Sequence, residues 1–183
     1  MRTYKILNNQ EENLGEYQIT PIRDIDKYSI MKWRNEQIFH LRQQQPLTKK
    51  NQEKYFREVV DNLFQHEKPN QLLFSYLRRE KCIGYGGLVH IDWLNMNAEI
   101  SFVMKTELEK NQFAVHWTNF LKMLEKIAFV QLNLIKIYTY AFDLRPHLYD
   151  ILEKNGYKRE AKLKRHYNIN SNFVDVVIHS KHS

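Results

Sequence analysis

The sequence lacks several things, and each absence removes a class of function. It holds a single cysteine, Cys82, in 183 residues. No internal disulfide can form, and a lone thiol inside an apolar run predicts a small buried side chain in a reducing, cytoplasmic setting. No stretch of ~18 apolar residues occurs, and Met1 to Gln10 carries no apolar core of an export signal, so a soluble protein with no membrane partner is expected. The eight histidines are scattered, without HExxH spacing and without a cysteine pair, which predicts no metal site. Gly84, Gly86 and Gly87 lack the spacing and the following helix of a dinucleotide fingerprint, and read as strand glycines that permit a bulge or close packing. No hydrolase triad, repeat or low-complexity tract is present.

What remains describes one domain, since 183 residues with 43% hydrophobic content can bury a core without staples. The formal net charge of +7 favours anionic partners, but the basic residues are spread along the chain rather than gathered, as on a solvated surface. With no recognised reading motif, a nucleic-acid binder, which would show steeply salt-dependent affinity, ranks last.

Residues 1–16 are polar and predict an arm or edge segment. Tyr17 to Arg23 suits a strand, and Asp24 is placed to cap a short helix running to about Glu36. Thr48 is placed to cap a longer helix to about Gln65, whose Tyr55, Phe56, Val59, Val60, Leu63 and Phe64 fall three and four apart. Gln71 to Arg79 and Cys82 to Ile91 predict a hairpin turning on Glu80 and Lys81. Ala98 to Met104 adds a third strand, in which Glu99 and Ser101 share a face. The strongest helical stripe runs from Gln112 to Gln131. A strand at Leu134 to Ala141 then requires a crossover and parallel pairing. Asp143 is placed to cap a helix ending at Gly156, and Lys158 to Asn168 with Phe173 to Ser180 form a closing hairpin.

This order, together with Cys82-Ile-Gly-Tyr-Gly-Gly-Leu-Val-His-Ile, Asn97-Ala-Glu-Ile-Ser-Phe-Val-Met and Ile151-Leu-Glu-Lys-Asn-Gly-Tyr-Lys-Arg-Glu, resembles the GNAT N-acetyltransferases. The resemblance spans roughly residues 17 to 180. It is nearest the branch that acetylates ribosomal-protein N-termini and sugar-nucleotide amines, and Met31-Lys-Trp-Arg-Asn-Glu looks like the signature of its sugar-amine members. It implies an α/β fold with a mixed, mostly antiparallel sheet of about seven strands flanked by helices, and a direct transfer from acetyl-CoA to a primary amine.

The resemblance also distributes roles. Glu99 is implied as the base, because an alkyl ammonium of pKa ~10 must lose a proton before its nitrogen attacks, and His90 is a further candidate for proton traffic. Backbone at Phe102, Val103 and Met104 is implied to bind the donor. Lys110, Asn111, Gln112, Phe113 and Ala114, with Lys105 nearby, are implied to meet its phosphates at a helix N-terminus. Trp33, Arg34 and Asn35, with the basic loop around Arg42, are implied to hold the acceptor, an amino sugar on a nucleotide being favoured because arginine suits phosphate.

Two departures stand out. Glu109 puts a negative charge where the family has a basic or neutral residue. Arg145 and Leu152 replace the family's asparagine and its tyrosine, the usual leaving-group acid, which leaves Tyr149 as the nearest substitute. A protein N-terminus as acceptor, and a catalytically silent acyl-CoA-binding module, are the alternatives; a monomer or homodimer is expected.

Overall fold

The computed structural model describes residues 2–183. Its strands arise where apolar residues alternate or run together, and its helices where they recur at three and four. In chain order these are β1 (Glu12–Leu14), β2 (Tyr17–Pro21), α1 (Lys27–Glu36), α2 (Lys49–Tyr55), α3 (Asp61–Leu63), β3 (Leu72–Arg78), β4 (Lys81–Asp92) and β5 (Asn97–Met104). There follow α4 (Thr106–Asn111), α5 (Phe113–Glu125), β6 (Lys136–Phe142), α6 (His147–Lys154), β7 (Lys158–Ile169) and β8 (Asn172–His182). The strands form one sheet in the order β1-β2-β3-β4-β5-β6-β8-β7. All neighbours are antiparallel except β5 and β6, the pair joined through the α4–α5 crossover.

The stripe on α5 packs as its periodicity requires. Phe113, Trp117, Phe120, Leu121 and Leu124 are buried, and Phe120 stacks on Phe102 of β5 with ring centroids 4.1 Å apart. Thr48 caps α2 in a reciprocal box with Asn51, and this helix continues through a π turn at Phe56–Val60 into α3.

Several expectations need correction. The sheet has eight strands against about seven expected, and of the two readings of the N-terminal segment the edge segment holds, since it supplies β1 at the border of the sheet. Tyr4 and Leu7 are buried. The Tyr4 hydroxyl donates to the Leu73 carbonyl at 2.9 Å and accepts from the Leu73 N–H at 2.8 Å, so one aromatic ties a polar stretch to the sheet. The hairpin turns on Arg79 and Glu80, both at positive φ (47° and 66°), one residue earlier than expected, the pattern of a tight hairpin turn. Neither Asp24 nor Asp143 caps a helix. Asp24 lies in a 3-10 turn before α1 and binds Lys27, and α6 starts after Pro146.

Gly87 shows why glycine is needed in β4. It sits at φ 155°, and an added Cβ would lie 1.9 Å from the Leu72 carbonyl oxygen. Gly87→Ala should therefore lose at least ~2 kcal/mol of stability, read as a lower urea midpoint with an unchanged slope.

Candidate active site

The pairing between β5 and β6 covers three positions, Asn97 with Lys136, Ala98 with Ile137 and Glu99 with Tyr138, and then stops. Beyond it β5 stays paired to β4 as far as Met104, and β6 stays paired to β8 as far as Phe142. The two strands thus splay apart, each held by its outer neighbour. Lys105 gives its N–H to Ile83 on the β4 side, so strand alternation turns the N–H groups of Met104 and Phe102 toward the gap. Gln37, buried at the end of α1, donates to the Met104 carbonyl at 2.7 Å and fixes this edge. The gap holds a cavity of about 170 Å³ floored by Glu99 to Phe102 and walled by Thr139 to Phe142.

Glu99 is 5% exposed at the point where the strands part. Burial holds its carboxyl above the usual range, and Arg42 and then His90 draw it down without cancelling that effect. The Arg42 guanidinium binds Oε1 of Glu99 and lies 4.8 Å from the Tyr140 ring centroid. His90 Nε2 stands 3.9 Å from Oε2. A bulge between Val89 and Asp92 puts His90 at φ 50° and leaves its side chain exposed, so the imidazole connects the buried carboxylate to solvent.

At the far end of the gap the two departures in the sequence explain each other. Arg145 donates to Glu109 at 2.9 Å, and both side chains are largely buried, 12% and 13% exposed. The acidic residue on α4 is neutralised by an arginine from the turn that leads into α6. His40 Nε2 lies 3.8 Å from the same carboxylate. Burial and then Arg145 push His40 down to about 3, so it stays neutral and this contact is no ion pair. Its carbon resonances in NMR should show no titration between pH 5 and 8. Because its folded value lies below its unfolded value near ~6.5, the stability it contributes is present above that pH and is lost as pH falls toward 3.

Gln112 leaves the helical conformation between α4 and α5, and α5 restarts at Phe113 with no side-chain cap. The N–H groups in the first turn, at Phe113 and Ala114, then have no carbonyl in a preceding turn of their own helix. Lys110 and Arg145 share a cavity with Phe113 and His147, and Asn111 and Gln112 are exposed beside it. Free amides next to an open groove and basic side chains suit a diphosphate. The short helix α4 was not expected from the sequence.

A family model described as an acetyltransferase (GNAT) domain matches residues 19–178. The chain belongs to the GNAT acetyltransferase family. No curated protein matches it in sequence. Among solved structures it is similar to a spermidine N-acetyltransferase from Vibrio cholerae in complex with CoA and spermine, with a TM-score of 0.77 at 18% identity over 92% of this chain and 96% of that one. It is also similar to a dodecameric form of spermidine N-acetyltransferase from Vibrio cholerae, with a TM-score of 0.74 at 20% identity, covering 92% and 95%. This GNAT protein is an acyltransferase that moves an acetyl group from acetyl-CoA to an amine. The splayed strands, the inward amides and the free first turn of α5 fit the donor's pantetheine arm and diphosphate.

Not every residue singled out in the sequence reaches the acetyltransferase's cleft. Trp33 is buried in the core. Asn35 clasps the backbone of Leu47 through bonds of 2.9 and 2.7 Å, and so shapes the loop that carries Arg42. Arg34 alone of the three lines the cavity, held by Gln43 and the Tyr85 hydroxyl. Tyr149 gives its hydroxyl to Asp143 at 2.8 Å and stacks on His179, and it is Leu148 that lines the cavity. Burial and then the Asp143 bond raise the Tyr149 phenol. Thr139, by contrast, is 3% exposed, lines the gap, and its hydroxyl has no hydrogen-bond partner among the described residues. Sequence reading passed over it, although it is a polar residue on the strand phase that buries Ile137. No helix among the described residues is long and apolar enough to cross a membrane, and no group of metal-ligating side chains occurs among them.

Proposed function

We propose that this acetyltransferase modifies the primary amine of a small molecule that also carries an anionic group, of which an amino sugar on a nucleotide carrier is the leading example. The observation that supports it is the charge of the cleft, where Arg34 and Arg42 line a cavity that holds one carboxylate, Glu99, and Arg42 binds it. A polyamine is the second reading, supported by the neighbours of similar fold. It would demand a surplus of carboxylates to meet several ammonium groups.

In this reading the acceptor nitrogen approaches on the face of Glu99 and Ser101, and Glu99 removes its proton. His90 passes that proton to water. The N–H groups of Phe102 and Met104 meet the charge that builds on the carbonyl oxygen, an arrangement that contributes ~3–4 kcal/mol per well-placed donor elsewhere. Thr139 offers a hydroxyl within the same gap. Tyr149 would serve the departing sulfur only after giving up its bond to Asp143. Thiol release from acetyl-CoA, measured with a glucosamine-bearing nucleotide, spermidine and a peptide N-terminus, tests the reading. Turnover highest with the first supports it, and turnover highest with spermidine overturns it. Calorimetric binding of acetyl-CoA with no thiol release on any amine would favour the catalytically silent acyl-CoA-binding module instead.

A further inference from the structure

One oxygen of the carboxylate assigned as base is engaged by an arginine. Oε1 is taken by Arg42, and Oε2 faces His90 at 3.9 Å. A carboxylate held against a guanidinium is a poorer proton acceptor, because protonation gives up part of the arginine's favourable interaction with the charge. Moving the arginine off would therefore make Glu99 a stronger base.

The chain shows which group moves. The Glu99 side chain is 6% exposed and fixed in a strand paired at that position on both sides, whereas the Arg42 side chain is 38% exposed and rises from an irregular loop. Asn35 pins the loop that follows it, through the Leu47 bonds and a 3.0 Å bond donated by the Gln43 side chain. Apart from Glu99, the guanidinium touches the flat face of Tyr140, and it can slide across that face while keeping its cation–π contact. Arg34, the other cleft arginine, is tethered to Gln43 and Tyr85 and is not so placed.

We infer that Arg42 is a specificity gate: in the acceptor-free enzyme it masks Glu99, and the anionic group of the correct acceptor draws it off along Tyr140 and so frees the base. This rests on the anion-bearing acceptor proposed above, and it adds a positioning role for one residue. Discrimination then comes from assembly of the site as well as from affinity. An amine without an anion meets a base still bound to arginine and competes with that arginine as a second cation. The shared chemistry is an anion within a few atoms of the amine, whether phosphate or carboxylate.

The test uses the full chain with acetyl-CoA and four acceptors: 2-aminoethyl phosphate, β-alanine, propylamine and spermidine. The wild type should prefer one or both anionic amines over propylamine by ~30-fold or more in kcat/KM, and the better of the two identifies the anion. In Arg42→Gln that preference should collapse, with kcat/KM for the anionic amines down ~100-fold and kcat for propylamine up several-fold. Removing the cation also raises the Glu99 carboxyl, so the acid limb of the propylamine profile should move to higher pH while His90, Tyr138 and Tyr140, which also face it, are unchanged. A structural role alone would lower every rate together and move no limb. Arg42→Lys, which keeps the charge, should retain most of the preference, and this variant decides the matter if Arg42→Gln fails to fold. An undiminished preference in Arg42→Gln, or its loss in a folded Arg42→Lys that binds acetyl-CoA normally, overturns the gate and leaves the acceptor class standing. A wild type that favours spermidine over both anionic amines overturns the acceptor class itself, and the gate with it.

Discussion

Glu99→Gln is expected to cut kcat for amine acetylation by ~10²-fold or more, the size of contribution usual for a positioned general base. Acetyl-CoA affinity should stay within a factor of about two. The substitution is nearly isosteric and its amide oxygen still accepts from Arg42, so the local structure has no reason to change. In the proposed arrangement the carboxylate lies on the acceptor face of β5, whereas the donor meets backbone amides that the substitution does not touch. The pH dependence gives a second reading of the same claim. Glu99 must be ionised to take a proton, and burial raises its carboxyl against the pull of Arg42 and His90. Activity should therefore fall as pH drops through a value above the ordinary glutamate range near ~4.3, and this limb should be absent in the variant. Steady-state kinetics with a true acceptor across pH 4 to 8 measure both, and an unchanged kcat would remove Glu99 from the mechanism.

The second large effect is on stability, at the pair formed by Arg145 and Glu109. Removing one member of a buried ion pair leaves the other charge without a partner, which costs ~3–5 kcal/mol, whereas replacing both with uncharged groups of similar volume is often close to neutral. Arg145→Met should accordingly lower the unfolding free energy by several kcal/mol, and Arg145→Met combined with Glu109→Gln should recover most of that loss. Urea unfolding of the two single variants and the double variant closes the cycle. Simple additivity would show that the two side chains, though 2.9 Å apart, are not coupled. The same variants bear on donor binding. Arg145 lines both the gap and the groove beside α5, so its loss should weaken acetyl-CoA more than acetyl-pantetheine, which has no diphosphate.

Several parts of the site were legible in the sequence because they follow from local repeats. Alternation in Ala98 to Met104 put Glu99 and Ser101 on one face, and the stripe from Phe113 to Leu124 identified the crossover helix that forces β5 and β6 to run parallel. The exposed His90 was found as a candidate, but the bulge that aims it at Glu99 was not, since a one-residue register shift leaves no mark on composition. Tyr149 was placed by its distance along a helix. The rotation of α6, which the packing of Leu148, Ile151 and Leu152 decides, turned it toward Asp143 instead.

The amino-acid order by itself determined the sequence of elements from β2 onward save the short α4, the faces of the strands and the one parallel crossover, because each depends on a period of two or 3.6 residues that the backbone imposes. The tertiary structure alone decided that the arginine 57 residues before Glu99 lies on it, that Glu109 is neutralised from 36 residues away, and that Tyr4 closes the N-terminal segment onto the sheet. These contacts join residues whose separation carries no periodic signal. They exist only once loops have closed and the elements have taken their rotations about one core.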